Sequence, residues 1–170
     1  MSHAKNKVDW CLKKAGKELK EGHKHRGLVQ IEPDNEKARE HIAKAQHNLQ
    51  ATLYLNSGGY SDWCSISLFY TIYHCFLAII VKFWYESRNQ ECTFALIASL
   101  IADKKINISA DDLNKMNSLN LAESSEGTTA VNIREKYQYS TRTSLENKEY
   151  KTLLDLAKKI LDETKEIIES

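Results

Sequence analysis

Proline and glycine are scarce in this sequence, with one proline and six glycines in 170 residues. Helix interiors tolerate neither residue well, so the scarcity favours helices. No alternating run of β-branched residues bounded by turn residues occurs, so strands have no support. Gly-x-Gly-x-x-Gly, the P-loop, His-Glu-x-x-His and Gly-x-Ser-x-Gly are all missing. Their absence removes the motif evidence for dinucleotide binding, P-loop chemistry, zinc proteolysis and serine hydrolysis, and no cofactor is expected. The four cysteines, Cys11, Cys64, Cys75 and Cys92, show no Cys-x-x-Cys spacing. No secretory signal precedes them, so a reduced cytoplasmic setting is expected and a structural zinc is not. Cys64, Cys75 and Cys92 lie in apolar stretches and read as small core residues.

Charge of one sign is also lacking overall, with a net of +1. The balance is uneven: residues 1–26 hold eight Lys/Arg against three Asp/Glu, a net of +5, which leaves −4 for the rest. Such a basic segment can touch nucleic acid. An ordinary solvated helix face looks the same and is the commoner case. A membrane span is not expected. Trp63 to Val81 runs nineteen residues without a formal charge, which marginally meets the length criterion. However, Ser65, Ser67, Tyr70, Thr71, Tyr73 and His74 would be costly in lipid. A helix apolar nearly all round is also what the centre of a bundle requires.

Helical periodicity is clear. Val8, Cys11, Leu12, Ala15 and Leu19 share one side of a short first helix that Gly22 ends. A connector from His23 to Pro33 follows, and Pro33-Asp34 opens a second helix. Its apolar positions are Ala38, Ile42, Ala45, Leu49, Thr52 and Leu53, and Gly58-Gly59 stops it. Ser61 or Asp62 is expected to cap a third helix running to about Tyr85. Ser87 with Gln90 fits a capping box for a fourth helix containing Ala95, Leu96, Ile97, Leu100 and Ile101. Ser109 to Asp112 opens a short further helix, and residues 120–130 read as a polar loop. Thr143 with Glu146 is a second candidate capping box. The last helix buries Tyr150, Leu153, Leu154, Ala157, Ile160, Leu161, Thr164, Ile167 and Ile168. Length alone implies one domain. Residues 1–33 form an N-terminal helix and basic connector, and residues 34–170 form an antiparallel bundle of four to five main helices.

Chemistry-bearing residues are few. His23 and His25 stand two apart beside Arg26, with neither cysteine nor carboxylate at metal spacing, so no metal is expected. His41 and His47 face different sides of the second helix, and His74 sits mid-way along the apolar helix. The start of the fourth helix is more specific. Helix N-termini expose unpaired N–H groups with partial positive charge, which bind phosphate. Arg88, read as the first helical residue, adds a planar fork matched to phosphate oxygens, and Asn89 adds a neutral hydrogen-bonding group. On residues alone, Ser87 and Gln90 capping a helix while Arg88 pairs with a carboxylate is an equally good reading.

Phe69-Tyr70-Thr71-Ile72-Tyr73-His74-Cys75-Phe76-Leu77-Ala78, followed by Arg88-Asn89, resembles the HEPN family. The stretch from Arg134 to Tyr139 before a final amphipathic helix is similar to that family's C-terminal part. The resemblance covers roughly residues 36–168, and Tyr85 to Thr93 looks like an uncharacterised, mainly archaeal branch. It implies an all-α HEPN-like bundle that dimerises. Many members are metal-independent endoribonucleases, often toxins paired with a nucleotidyltransferase-like antitoxin, and others are binding modules. The catalytic members carry an Arg and a His separated by four to six intervening residues. Arg88 matches the Arg, but Thr93, Phe94 and Ala95 stand where the His belongs.

Imidazole suits RNA cleavage because it exchanges protons near neutral pH, and neither Thr nor Phe does. An antiparallel hairpin of helices three and four would set His74 against Ser99 or Leu100, so only a partner chain would bring it to Arg88. His25 and Tyr139 remain as acid/base candidates. The leading expectation is a cytoplasmic, homodimeric module that binds RNA or a nucleotide phosphate through Ser87, Arg88, Asn89, Gln90 and Thr93, without RNase catalysis. The alternatives are an RNase with His74, His25 or Tyr139 as acid/base group, and a subunit that binds a nucleotidyltransferase-like partner protein.

Overall fold

The computed structural model describes residues 3–116 and 129–170. The elements run α1 (His3–Lys20), β1 (Leu28–Gln30), α2 (Asn35–Ser57), α3 (Ser61–Lys82), β2 (Tyr85–Ser87), α4 (Gln90–Ala102), α5 (Ala110–Met116), α6 (Ala130–Gln138) and α7 (Asn147–Glu169). The all-α bundle expected from the sequence is therefore present. Serine and glycine residues of the expected polar loop from 120 to 128 lie outside the described residues.

Local chemistry explains most boundaries. Gly22 takes φ +76°, and His23 N–H donates to the Glu18 carbonyl at 2.9 Å while Gly22 N–H donates to Leu19. Gly59, at φ +83°, ends α2 the same way, with Tyr60 N–H donating to Leu55. Only glycine enters the left-handed region at no steric cost, so these two positions stop their helices cleanly. Asp34 caps α2 by accepting from Lys37 N–H at 2.8 Å. Ser109 caps α5 by accepting from Asp112 N–H at 3.1 Å, while its hydroxyl donates back to the Asp112 carboxylate. Thr129 caps α6, a helix that periodicity did not predict.

Three expected caps are corrected. The N-cap of α3 is Tyr60, with no side-chain bond, because the Ser61 hydroxyl instead accepts from the distant Leu145 N–H at 2.9 Å. The N-cap of α7 is Glu146, also without a side-chain bond, so the Thr143–Glu146 box does not form. The α4 cap is Asn89, accepting from Cys92 N–H at 3.0 Å. Ser87 lies in β2 instead.

The apolar helix α3 lies at the centre and packs on α2, α6 and α7. It buries Leu68, Phe69, Ile72, Phe76, Ile79 and Ile80 almost completely. Among the described residues it is the one helix long and apolar enough to cross a membrane, and 67% of its apolar window is buried inside the protein. Phe76 meets Phe94 of α4 edge-to-face at 5.9 Å, the favoured geometry for aromatic quadrupoles. Asp112, nearly fully buried, ties α5 to α7 through Lys159. Burial pushes its carboxyl up, but the bonds from Lys159, Ser109 and Lys115 outweigh this and hold it below the usual range. The Tyr137 hydroxyl donates to Glu149 at 2.6 Å and joins α6 to α7.

Two features depart from the sequence expectation. The first is a two-stranded antiparallel ribbon in which Leu28 pairs with Ser87, Val29 with Glu86 and Gln30 with Tyr85. Each strand is three residues long, too short to show alternation. The second is a disulfide between Cys11 of α1 and Cys92 of α4, with Cα atoms 5.9 Å apart. Cys92 is a core residue as expected, but it is not free. Cys64 and Cys75 are free and buried. Disulfides are rare in a reducing cytoplasm outside hyperthermophiles, so this bond stands in tension with the reduced setting expected from cysteine spacing.

Candidate functional site at the start of α4

The chain reaches α4 by an unusual path. After α3 ends at Lys82, Trp84 takes φ +76° and β2 turns back alongside α3. Consequently α4 begins level with the middle of α3, where the Tyr73 hydroxyl lies 3.4 Å from the Thr93 hydroxyl. The simple hairpin expected from the sequence, with residue 74 opposite residue 99, is not formed. The reason is the extended strand: it returns the chain along α3 before the next helix starts.

The ribbon makes the site. Gly27 precedes β1 and sits against α1 so closely that a Cβ there would lie 2.4 Å from the Cys11 carbonyl oxygen. No larger residue fits that approach. Its carbonyl accepts from Arg88 N–H at 3.1 Å. The connector is pinned further by Glu18 of α1, which accepts from the backbone N–H and the Nε of Arg26. These contacts carry His25 inward until it is 6% exposed. Its Nε2 lies 3.1 Å from Glu86 Oε1. The same oxygen accepts from Arg88 Nε at 2.8 Å. His25, Glu86 and Arg88 thus share one carboxylate. Burial pushes the Glu86 carboxyl up, but the bonds from His25 and Arg88 outweigh that and hold it below the usual range. An ionised carboxylate only accepts, so Nε2 of His25 carries the proton. Its Nδ1 is buried with no partner among the described residues.

Arg88 precedes the cap, so it is not the first helical residue expected. Its side chain is 49% exposed. Apart from Nε, its guanidinium makes no hydrogen bond among the described residues. A second arginine reaches the same helix end. Arg134 of α6 stacks on Phe69, with its central carbon 4.3 Å from the ring centroid, and its Nη1 lies 3.5 Å from the Gln90 side-chain oxygen. Arg134 Nε is buried with no partner among the described residues. Lys7 of α1 bonds Glu91 at 2.8 Å on the first turn of α4.

The other expected binding residues divide. Ser87 and Thr93 are occupied internally: Thr93 is fully buried, donates to Ser87 Oγ at 2.8 Å and lies 3.0 Å from the Asn89 carbonyl. Asn89 spends its oxygen on the cap, and Gln90 faces Arg134. Of the acid/base candidates, only His25 joins Arg88. His74 instead meets His41 of α2, Nδ1 to Nδ1 at 3.1 Å. Tyr139 is the exposed C-cap of α6. Among the described residues no group of three or more His, Cys, Asp or Glu could hold a metal ion. Glu86 was missed in the sequence because nothing in its spacing links it to a residue sixty-one positions away. Arg134 was noticed only as part of a resemblance. No protein-family model matches this sequence, and no curated protein matches it significantly.

Proposed function

We propose that this protein is a HEPN-like, dimerising helical module that binds RNA phosphate at the start of α4 and does not cleave it. One observation carries the reading. Glu86 holds Arg88 by its Nε, and among the described residues the terminal amino groups of this half-exposed guanidinium make no other bond, beside a capped helix N-terminus. A pre-positioned planar fork loses little entropy on meeting phosphate. The carboxylate beside it favours a ligand that engages the outer edge of the guanidinium. Absence of cleavage follows from the buried position of His25. Its proton faces Glu86, and its other nitrogen is shut away from solvent. General acid–base work needs the group within hydrogen-bond reach of substrate.

The test is a salt titration with single-stranded RNA. Each phosphate contact on a single strand contributes about −0.7 to the log–log slope. Arg88→Ala is expected to weaken binding and flatten that slope by about 0.7. Cleavage in EDTA should be absent. Cleavage by the wild-type protein that Arg88→Ala and His25→Asn both abolish would replace this reading with the RNase one, in which the His25–Glu86–Arg88 cluster supplies the chemistry.

A further inference from the structure

Outside the site just described, α1 carries an arrangement that its packing does not explain. Val8, Cys11 and Ala15 turn inward. Trp10 lies off that stripe and is 48% exposed. Lys7 Nζ stands 4.5 Å and Lys14 Nζ 5.1 Å from its ring centroid. Lys13, Lys17 and Lys20 continue the same side, since positions 7, 10, 13, 14, 17 and 20 fall within one arc of a helix with 3.6 residues per turn. These three lysines, with Glu21, which lies 3.9 Å from Lys17 Nζ, border a shallow depression around Gly16, where nothing beyond the adjoining residues and the helix's own backbone comes within 4 Å of a Cβ position. The whole face is fixed to the Arg88 site. Trp10 adjoins Cys11, Glu91 adjoins Cys92, and the Cys11–Cys92 bond and the Lys7–Glu91 pair hold the two helices together.

We infer that α1 is a stacking platform for an unpaired base of single-stranded RNA, with Trp10 as the stacking surface and the flanking lysines as phosphate contacts. The inference rests on the reading that RNA is the ligand, and it adds which strand form is recognised and by which residues. Single-strand binders combine a basic track with aromatic rings, because every base has a π-face and every nucleotide a charge. Six lysines against Asp9 and Glu18 give α1 a net charge of +4. Lys5, Lys7 and Lys17 pair with Asp103, Glu91 and Glu21 beyond the helix, so Lys13, Lys14 and Lys20 carry most of the charge complementary to such a strand. A duplex has its bases already stacked and gains nothing from Trp10. A lipid surface is disfavoured. An interfacial helix buries a broad apolar face, whereas Val8, Cys11 and Ala15 of α1 are already buried in the core and only Trp10 and Leu19 are exposed large apolar side chains on this helix.

The experiment measures anisotropy of a labelled oligouridylate with the full chain. Trp10→Ala is expected to weaken binding roughly tenfold or more, the loss of one base–aromatic stack. Trp10→Phe should retain most of the affinity. Lys13→Gln with Lys17→Gln should flatten the log–log salt slope by about 1.4. Duplex RNA should bind more weakly than the single strand and be indifferent to Trp10→Ala. Wild-type affinity in Trp10→Ala alongside a loss in Arg88→Ala would overturn the platform and leave the phosphate reading intact. The opposite pattern would support the platform and overturn the role of Arg88. No binding by the wild type would overturn both. Trp10-dependent binding to phosphatidylserine vesicles, with none to oligouridylate, would overturn the platform in favour of a membrane surface. Thermal melts serve as the fold control, and the lysine pair keeps the test decisive if Trp10→Ala melts early.

Discussion

Replacing both Cys11 and Cys92 by alanine should destabilise the protein by several kcal/mol without changing its fold. The bond spans 81 residues of sequence. It encloses β1, α2, α3 and β2, so cutting it frees nearly half of the unfolded chain. The chain-entropy relation for a loop of that length gives about 15 cal/mol/K, or ~4.5 kcal/mol at 25 °C. Measured values usually fall at or below such figures, because reduced unfolded chains keep some structure, so a loss of about 2–5 kcal/mol is expected. Both sulfurs are fully buried, and the alanines leave a small void that adds to the cost. Urea unfolding is the assay. With a slope of about 2 kcal/mol/M, the midpoint should fall by roughly 1–2.5 M. A thiol titration of the denatured wild type should find the two thiols of Cys64 and Cys75 before reduction, and all four after it. Four thiols in protein alkylated at lysis, or an unchanged urea midpoint in the double variant, would refute the reasoning.

Acid should weaken the fold through the His41–His74 pair. Burial, then the neighbouring His74 and Lys37, lower His41 from 6.5 to about 4, and burial with Lys44 lowers His74 as well. Between those pH values the unfolded chain binds more protons, so stability is full above about pH 6.5 and is lost as pH falls toward 4. The full shift would correspond to roughly 3 kcal/mol, and the ring's partial exposure reduces that to about 1–2. Urea midpoints at pH 7 and pH 4.5 should therefore differ more in the wild type than in His41→Asn, and equal pH dependence would reject the pair as the cause. Light scattering should give twice the 19.5 kDa chain mass, because Trp63 and Tyr70 leave an exposed aromatic stripe on α3. Trp63→Glu with Tyr70→Glu should shift the mass to the monomer, and a wild-type monomer at micromolar concentration would end the dimer proposal.

Much of the helical layout was legible in the residues. Helices α2 and α7 carry apolar positions at steps of three and four, and the Asp34 cap and the Gly22 and Gly59 stops follow from local stereochemistry. Such signals involve residues within one turn of each other, which is why they survive without tertiary information. The weaker signals failed in informative ways. Ser61 looked like a cap, but its hydroxyl serves Leu145 from across the fold. Ser87 looked like a cap, but Asn89, two residues on, takes that role while Ser87 pairs with Leu28. Helix α6 is nine residues long, too short for periodicity to stand out.

The candidate site shows the same division. Arg88 stood out because an arginine near a helix start is a local pattern. Glu86 did not, since it precedes the expected cap, and although His25 was an acid/base candidate, nothing local tied it to a carboxylate sixty-one residues away. The pairing of Cys11 with Cys92 was equally invisible, because spacing says nothing about which distant thiols meet. The sequence by itself determined that the chain is helical, that α3 is its centre, and where α1 and α2 stop. Only the tertiary structure decided that β2 turns back along α3, that His25 and Arg88 share one carboxylate, and that α1 is locked beside α4. Helix formation depends on neighbours three and four positions apart, whereas these contacts depend on how the whole chain closes on itself.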